Sequence, residues 1–211
     1  MIKILIADDH PIVRQGLKQI LLEEFERPVL GEAQNCQEVL ELVQKQDWDV
    51  VVLDISMPGR GGLEVLRELK QARPKLPVLI LSLHPEDQYA VRALRAGAAG
   101  YMTKEVAPEE LVKAIKKIRE GGKYVSPTLA EKIAFDLEKE TGNLLHETLS
   151  DREYQVMMLI ASGKKLSEIA EELSLSVKTI GTYRTRILEK MKMKTNAELT
   201  FYAIRHQLIE P

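Results

Sequence analysis

The chain has 211 residues, enough for one large domain or two small ones, and 45% of them are hydrophobic, as packed cores require. Lys and Arg number 30 against 32 Asp and Glu, a net charge of −2, so the bulk charge points to no nucleic-acid partner and only a local basic patch can supply one. The single cysteine, Cys36, excludes an intrachain disulfide and predicts a reducing, cytoplasmic compartment, while the apolar run 2–7 is too short for a secretion signal or a membrane span, so no membrane association is expected.

In chain order, short apolar runs stand at 2–7, 29–33, 50–55, 78–83 and 99–102. They are near-continuous and rich in Val and Ile, the pattern of strands buried on both faces of a parallel sheet. Helical spacings lie between them, carried by Val13, Leu17, Ile20 and Leu21, by Val39, Leu42 and Val43, and by Leu63, Leu66 and Leu69. A last one opens at Pro108, buries Leu111, Ala114, Ile115 and Ile118, and closes at Gly121-Gly122. Five strand–helix repeats predict a doubly wound α/β domain over 1–122, a five-stranded parallel sheet of flavodoxin-like order 2-1-3-4-5.

From Ser126 to about Thr148 strand signals stop, and a charged, partly helical stretch broken by Pro127 and Gly142 predicts a linker over 123–147. Only helices follow. Ser150 with Glu153 has the S-x-x-E capping-box form, Met157, Ile160 and Ala161 share a face, and Gly163 closes that helix. A helix around 167–173, a break at Ser174-Leu175-Ser176, a helix from Val177 to about Met191 and another from Asn196 to about His206 complete an all-α, four-helix domain over 148–211.

In an open α/β sheet, chemistry collects at the carboxyl ends of the strands. Strand one ends in Asp8-Asp9, strand three in Asp54, strand four near Ser82 and strand five near Lys104. With order 2-1-3-4-5 these residues converge on one pocket. Clustered carboxylates require a proton or a cation, and such oxygen ligands suit Mg²⁺ or Mn²⁺. A carboxylate beside that metal can take up a phosphoryl group, whose oxygens the metal and Lys104 would stabilise. His10 adjoins the acid pair, His84 reads as a surface loop residue, and Cys36 and Trp48 read as packing residues.

These elements, with the stretch Val51-Val52-Leu53-Asp54-Ile55-Ser56-Met57-Pro58, resemble the receiver domain of a two-component response regulator over about the first 120 residues. The resemblance implies that a sensor histidine kinase phosphorylates Asp54. It implies metal ligation by Asp8, Asp9, Asp54 and the backbone carbonyl of Ser56, contacts from Ser82 and Lys104 to the acyl phosphate, and a switch role for Tyr101. Glu105 stands where many receivers have proline, so the isomer of the Lys104–Glu105 peptide is left open.

The second domain hides an asymmetry. Residues 176–206 hold seven cations against two anions, about +5, while 126–175 hold ten acids against five bases, about −5. The inner face of the basic helix carries Ile180, Tyr183 or Ile187, and Leu188, and its other face shows Lys178, Thr182, Arg184, Thr185 and Arg186. The stretches 149–153, 168–170 and 176–180 resemble the LuxR-type helix-turn-helix, and with the receiver the whole is similar to the NarL/FixJ class of response regulators. The implied function is phosphorylation-controlled transcription, with a homodimer on double-stranded DNA and RNA polymerase as a partner. Base reading is expected from Lys178, Thr182, Arg184 and Thr185, with Tyr183 and Arg186 nearer phosphates or core. Two departures stand out: Lys165-Leu166 replaces a small polar cap, and Gly181 lies inside the recognition helix. The alternatives are a stand-alone aspartyl phosphatase or phosphotransferase, which Ser56 opposes because such enzymes place a second acid two residues after the nucleophile, and a regulator indifferent to phosphorylation.

Overall fold

The computed structural model describes residues 1–57, 60–138 and 144–209. Pro58 and Gly59 of the loop after Asp54, and residues 139–143 of the expected linker, lie outside the described residues. Five strands, β1 (Lys3–Ala7), β2 (Val29–Ala33), β3 (Val50–Leu53), β4 (Val78–Ser82) and β5 (Gly100–Thr103), form one sheet. Its order is β2-β1-β3-β4-β5, the order expected from the strand–helix alternation, and every pairing is parallel.

The continuous apolar runs are explained by burial on both faces. One face packs Ile4, Ile6, Val50, Val52, Leu79 and Leu81 against Leu17 and Leu21 of α1 (Pro11–Glu24) and Leu111, Ile115 and Ile118 of α5 (Pro108–Arg119). On the other side run α2 (Cys36–Lys45), α3 (Gly62–Ala72) and α4 (Glu86–Arg95). Proline opens α1 and α5, where its missing N–H is no loss. Asn35 caps α2 by accepting from Glu38 N, and the Glu38 carboxylate accepts from Gln34 N. Trp48 is buried and donates its indole N–H to Leu42 O, and Cys36 is buried too, as packing residues should be. Helix α4 had no apolar stripe to announce it, because its buried face is Tyr89, Ala90 and Ala93.

The sheet's hydrogen-bond ladder runs past the strand ends. Asp8 N donates to Ala33 O at 3.1 Å, Asp54 N to Ala7 O at 2.8 Å, and Lys104 N to Ser82 O at 2.8 Å. The residues expected at the pocket are therefore held by backbone bonds, not only by their side chains. No cis peptide occurs among the described residues, so the Lys104–Glu105 bond is trans.

The chain divides into two compact units, Met1–Ile133 and Ala134–Pro211. Helix α6 (Pro127–Glu138) runs across that division and occupies part of the expected linker. In the second unit a 3-10 turn (Leu145–Thr148) precedes α7 (Asp151–Ala161), α8 (Leu166–Glu172), α9 (Val177–Lys190) and α10 (Asn196–Arg205). The Ser150–Glu153 capping box forms, with Ser150 Oγ accepting from Glu153 N and the Glu153 carboxylate accepting from Ser150 N. Helix α8 starts at Leu166 without a polar cap, and Glu168 reaches back to accept from Lys165 N. Ser176 caps α9 and Thr195 caps α10. The turn between α8 and α9 takes a left-handed residue at Ser174, φ 52°.

Glu153 also accepts from Lys190 Nζ at 2.6 Å, tying α7 to α9. Burial works against its charge, but the bonds from Lys190 and Ser150 win and hold its carboxyl below the ordinary value. A lowered carboxyl contributes stability that is present above its unfolded value and lost as the pH falls through the folded one. Glu153→Ala is therefore expected to lower stability by about 1–2 kcal/mol near pH 7. In urea denaturation at successively lower pH, the gap between wild type and variant should close in the acid range.

Candidate functional site: an acid pocket and a basic helix

Asp8, Asp54 and Lys104 meet at the carboxyl edge of the sheet. The Lys104 ammonium lies 2.6 Å from Asp8 Oδ2 and 2.7 Å from Asp54 Oδ2. All three side chains are at most 6% exposed. Burial raises the Asp54 carboxyl above its ordinary value in spite of the pull of Lys104, and the nearby Asp8 adds to the rise. Burial also opposes the charge on Lys104, but Asp54 and Asp8 outweigh it and hold the ammonium above its usual value. The second Asp54 oxygen, Oδ1, accepts from Ser56 N at 2.9 Å.

Ligand atoms of Asp8, Asp9, His10 and Asp54 lie within 4.8 Å of one another. Three carboxylates face one ammonium, which leaves two negative charges without a partner of opposite sign unless a carboxylate takes up a proton or a cation enters. Asp9 Oδ1 is buried without a hydrogen bond, although His10 Nδ1 stands 2.9 Å away in poor alignment. An acid-rich oxygen donor set with an unused buried oxygen fits a divalent cation. Its residues are held from outside: His10 N and Nδ1 contact Asp8 Oδ1, and Arg14 donates to Asp8 O at 2.8 Å.

Ser82 and Tyr101 lie on the neighbouring strands, both fully buried. Ser82 Oγ accepts from His84 N at 3.1 Å, and Tyr101 OH donates to His84 O at 2.8 Å. His84 does lie in the loop after β4, half-buried, where its backbone joins Ser82 to Tyr101 and its ring lies tilted against Tyr89 with centroids 4.7 Å apart. Its position two residues after Ser82 was the available clue. The Ser56 hydroxyl is buried with no hydrogen-bond partner among the described residues. Gly62 has no room for a side chain, because an added Cβ would sit 2.4 Å from Ile55 Cα.

In the second unit Ile180, Ile187 and Leu188 form the buried face of α9. Lys178, Thr182, Thr185 and Arg186 are exposed, while Tyr183 and Arg184 are half-buried. Arg184 Nε donates to Asn196 Oδ1 at 2.7 Å, a partner twelve residues away that helical spacing does not reveal. The threonine hydroxyls turn back on the helix, Thr182 to Lys178 O and Thr185 to Gly181 O, both at 3.1 Å. Lys178, Thr179, Thr182, Tyr183 and Arg186 line a depression of about 310 Å³.

The family model for the response regulator receiver domain matches residues 4–116, and that for the luxR family of bacterial regulatory proteins matches 147–203. The response regulator GacA of Pseudomonas aeruginosa is 38% identical over 211 residues, covering 100% of this chain and 99% of its own. The response regulator UvrY of Escherichia coli K12 is 38% identical over 209 residues, covering 99% of this chain and 96% of its own. Among solved structures, RcsB of Salmonella enterica serovar Typhimurium, bound to the rprA promoter in the presence of the phosphomimetic BeF₃⁻, is similar with a TM-score of 0.63. It is 29% identical, covering 96% of this chain and 98% of its own. A structure of two RcsB dimers on two parallel DNAs is similar with a TM-score of 0.60 and 27% identity, over 95% of this chain and 97% of that one.

The unbalanced acids predict a measurable response to metal. Millimolar Mg²⁺ is expected to raise the melting temperature of the first unit, by mass action on the folded state. Asp9→Ala should melt higher than wild type without metal, through relief of repulsion, and should lose most of the Mg²⁺ shift. Thermal denaturation with and without Mg²⁺ checks both.

Proposed function

The chain belongs to the response regulators that join a receiver to a LuxR-family DNA-binding domain, and on that footing we propose that a sensor histidine kinase phosphorylates Asp54 to control its binding to DNA. Proteins of this kind regulate and do not turn over substrate. The chemistry proposed here is confined to making and losing the chain's own acyl phosphate. The observation that carries the reading is the Lys104 ammonium, buried between Asp54 and Asp8 at 2.7 and 2.6 Å.

In the proposed reaction an Asp54 oxygen attacks the phosphorus of a phosphohistidine. The P–N bond breaks, its electrons return to the imidazole, and an acyl phosphate forms on Asp54. Asp8, Asp9, Asp54 and the backbone carbonyl of Ser56 would hold Mg²⁺ or Mn²⁺, which when bound supplies positive charge to the phosphoryl oxygens. Lys104 keeps the nucleophile in place before transfer and donates to the phosphoryl group afterwards. The Ser82 hydroxyl donates to a second phosphoryl oxygen, and Tyr101 follows Ser82 as the state changes. With Ser56 two residues after Asp54, no carboxylate stands there to activate turnover of an external ester.

We take 1–122 as the receiver, 123–147 as the linker and 148–211 as the DNA-binding domain. Helix α9 enters the major groove, where Lys178, Thr182, Arg184 and Thr185 face base edges and Tyr183 and Arg186 face phosphates. Exposure of Lys178, Thr182, Thr185 and Arg186 supports this role. Phosphorylation promotes a homodimer, a reading supported by the RcsB dimers on DNA, and the bound dimer acts through RNA polymerase. None of the described helices is long and apolar enough to cross a membrane, and we place the protein in the cytoplasm.

Asp54→Asn is expected to abolish labelling by acetyl phosphate and to leave DNA affinity unresponsive to it. If labelling and DNA retardation match wild type, the proposal is wrong. Arg186→Ala, at an exposed phosphate-facing position, should weaken DNA binding and shallow the plot of log affinity against log salt by about one. Filter binding across a salt series measures this.

A further inference from the structure

We propose that Glu86 and Ser126 form a latch that carries the state of the phosphorylation pocket to helix α6, the helix that leads into the second unit. The proposal rests on phosphorylation at Asp54. Ser126 Oγ donates to Glu86 Oε2 and also accepts from Leu129 N at 3.1 Å, so one hydroxyl both caps α6 and binds the first residue of α4. Partners forty residues apart in the chain are thus joined by a hydrogen bond to a carboxylate, the stronger kind.

Both ends of the latch are tied to larger parts. On one side, Tyr124 N donates to Ala99 O at 2.9 Å, Tyr124 pairs in parallel with Gly100, and Tyr124 OH donates to Glu110 Oε2 at 3.0 Å. Gly100 permits that approach, since a Cβ there would lie 2.8 Å from Tyr124 O. The segment before α6 is therefore fastened to β5 and α5, and Ser126 cannot follow Glu86 freely.

On the other side, Glu86 is four residues from Ser82. His84 N is bound to Ser82 Oγ, and Pro85, with its ring-restricted φ at −56°, joins His84 to Glu86. When Ser82 moves toward a phosphoryl group on Asp54, His84, Pro85 and Glu86 move with it. Tyr101 OH, bound to His84 O, is drawn into the same change. Ser126 stays with β5, the Glu86–Ser126 bond parts, and the first turn of α6 loses an anchor. The bistable element is the β4–α4 loop, and the latch is where its two positions acquire different energies.

The test is hydrogen–deuterium exchange on the full chain, with and without Mg²⁺ and BeF₃⁻, alongside DNA affinity. In wild type, BeF₃⁻ should protect residues 82–86 and speed exchange in the first turn of α6 by about fivefold or more. Glu86→Ala should show that faster exchange without BeF₃⁻, little further change on adding it, and DNA affinity shifted toward the BeF₃⁻-bound wild-type value. Glu86→Gln, which keeps an acceptor but no charge, should fall between. The latch is overturned if BeF₃⁻ protects 82–86 while α6 exchange stays unchanged, or if Glu86→Ala matches unliganded wild type. If BeF₃⁻ fails to protect 82–86, the phosphorylation reading fails and takes the latch with it.

Discussion

Everything in the first unit is arranged around a charge imbalance that the fold does not resolve by itself. One buried ammonium, Lys104, bridges two buried carboxylates, and a third carboxylate stands beside them. Burying such a group without full compensation is destabilising, and burial holds the Asp54 carboxyl above its ordinary value. The β-ladder makes it possible, because Asp8 and Asp54 are hydrogen-bonded through their backbones to the neighbouring strand. The apolar sheet beneath supplies the stability the pocket lacks. A site left short of positive charge is one that a divalent cation fits.

The parts of this that could be read in the amino-acid order are the ones with local causes. Continuous Val and Ile runs gave away the strands, and the acids at their ends gave away the pocket, because a parallel sheet brings strand ends to one edge. Ser150 with Glu153, and Ser176 before Val177, are short-range capping signals and both caps form. Helix α4 was harder: two of its three buried residues are alanines, which make no apolar stripe. Helix α6 carried a usable signal in Ser126-Pro127, a cap residue followed by a first-turn proline, which the surrounding charge obscured. Contacts such as Arg184 with Asn196, or Glu86 with Ser126, depend on where elements pack, and spacing along the chain holds no trace of them.

The second unit solves a different problem. A net-acidic chain must present a basic surface to a polyanion, and it does so by concentrating cations beyond residue 176 and acids before it. Some of those acids hold the basic helix rather than repel its target: Glu153 grips Lys190 at the far end of α9, leaving Lys178 and Arg186 exposed. The threonines between them have committed their hydroxyl hydrogens to helix carbonyls. What they present outward is a methyl group and oxygen lone pairs, a surface suited to thymine methyls and base amino groups.

The strip at Tyr124 has a second consequence, for the protein's behaviour in a crowded cell. An open sheet has two edges, and each exposes unpaired backbone groups to which another chain can add. Here Tyr124 lies against β5 and takes up the Ala99 carbonyl, closing part of one edge from within. At the other edge, β2 exposes Glu32, which is paired with Arg14 and Lys18 of α1. A covered edge and a charged one resist strand-by-strand stacking, so the first unit carries its own protection against fibre-like aggregation.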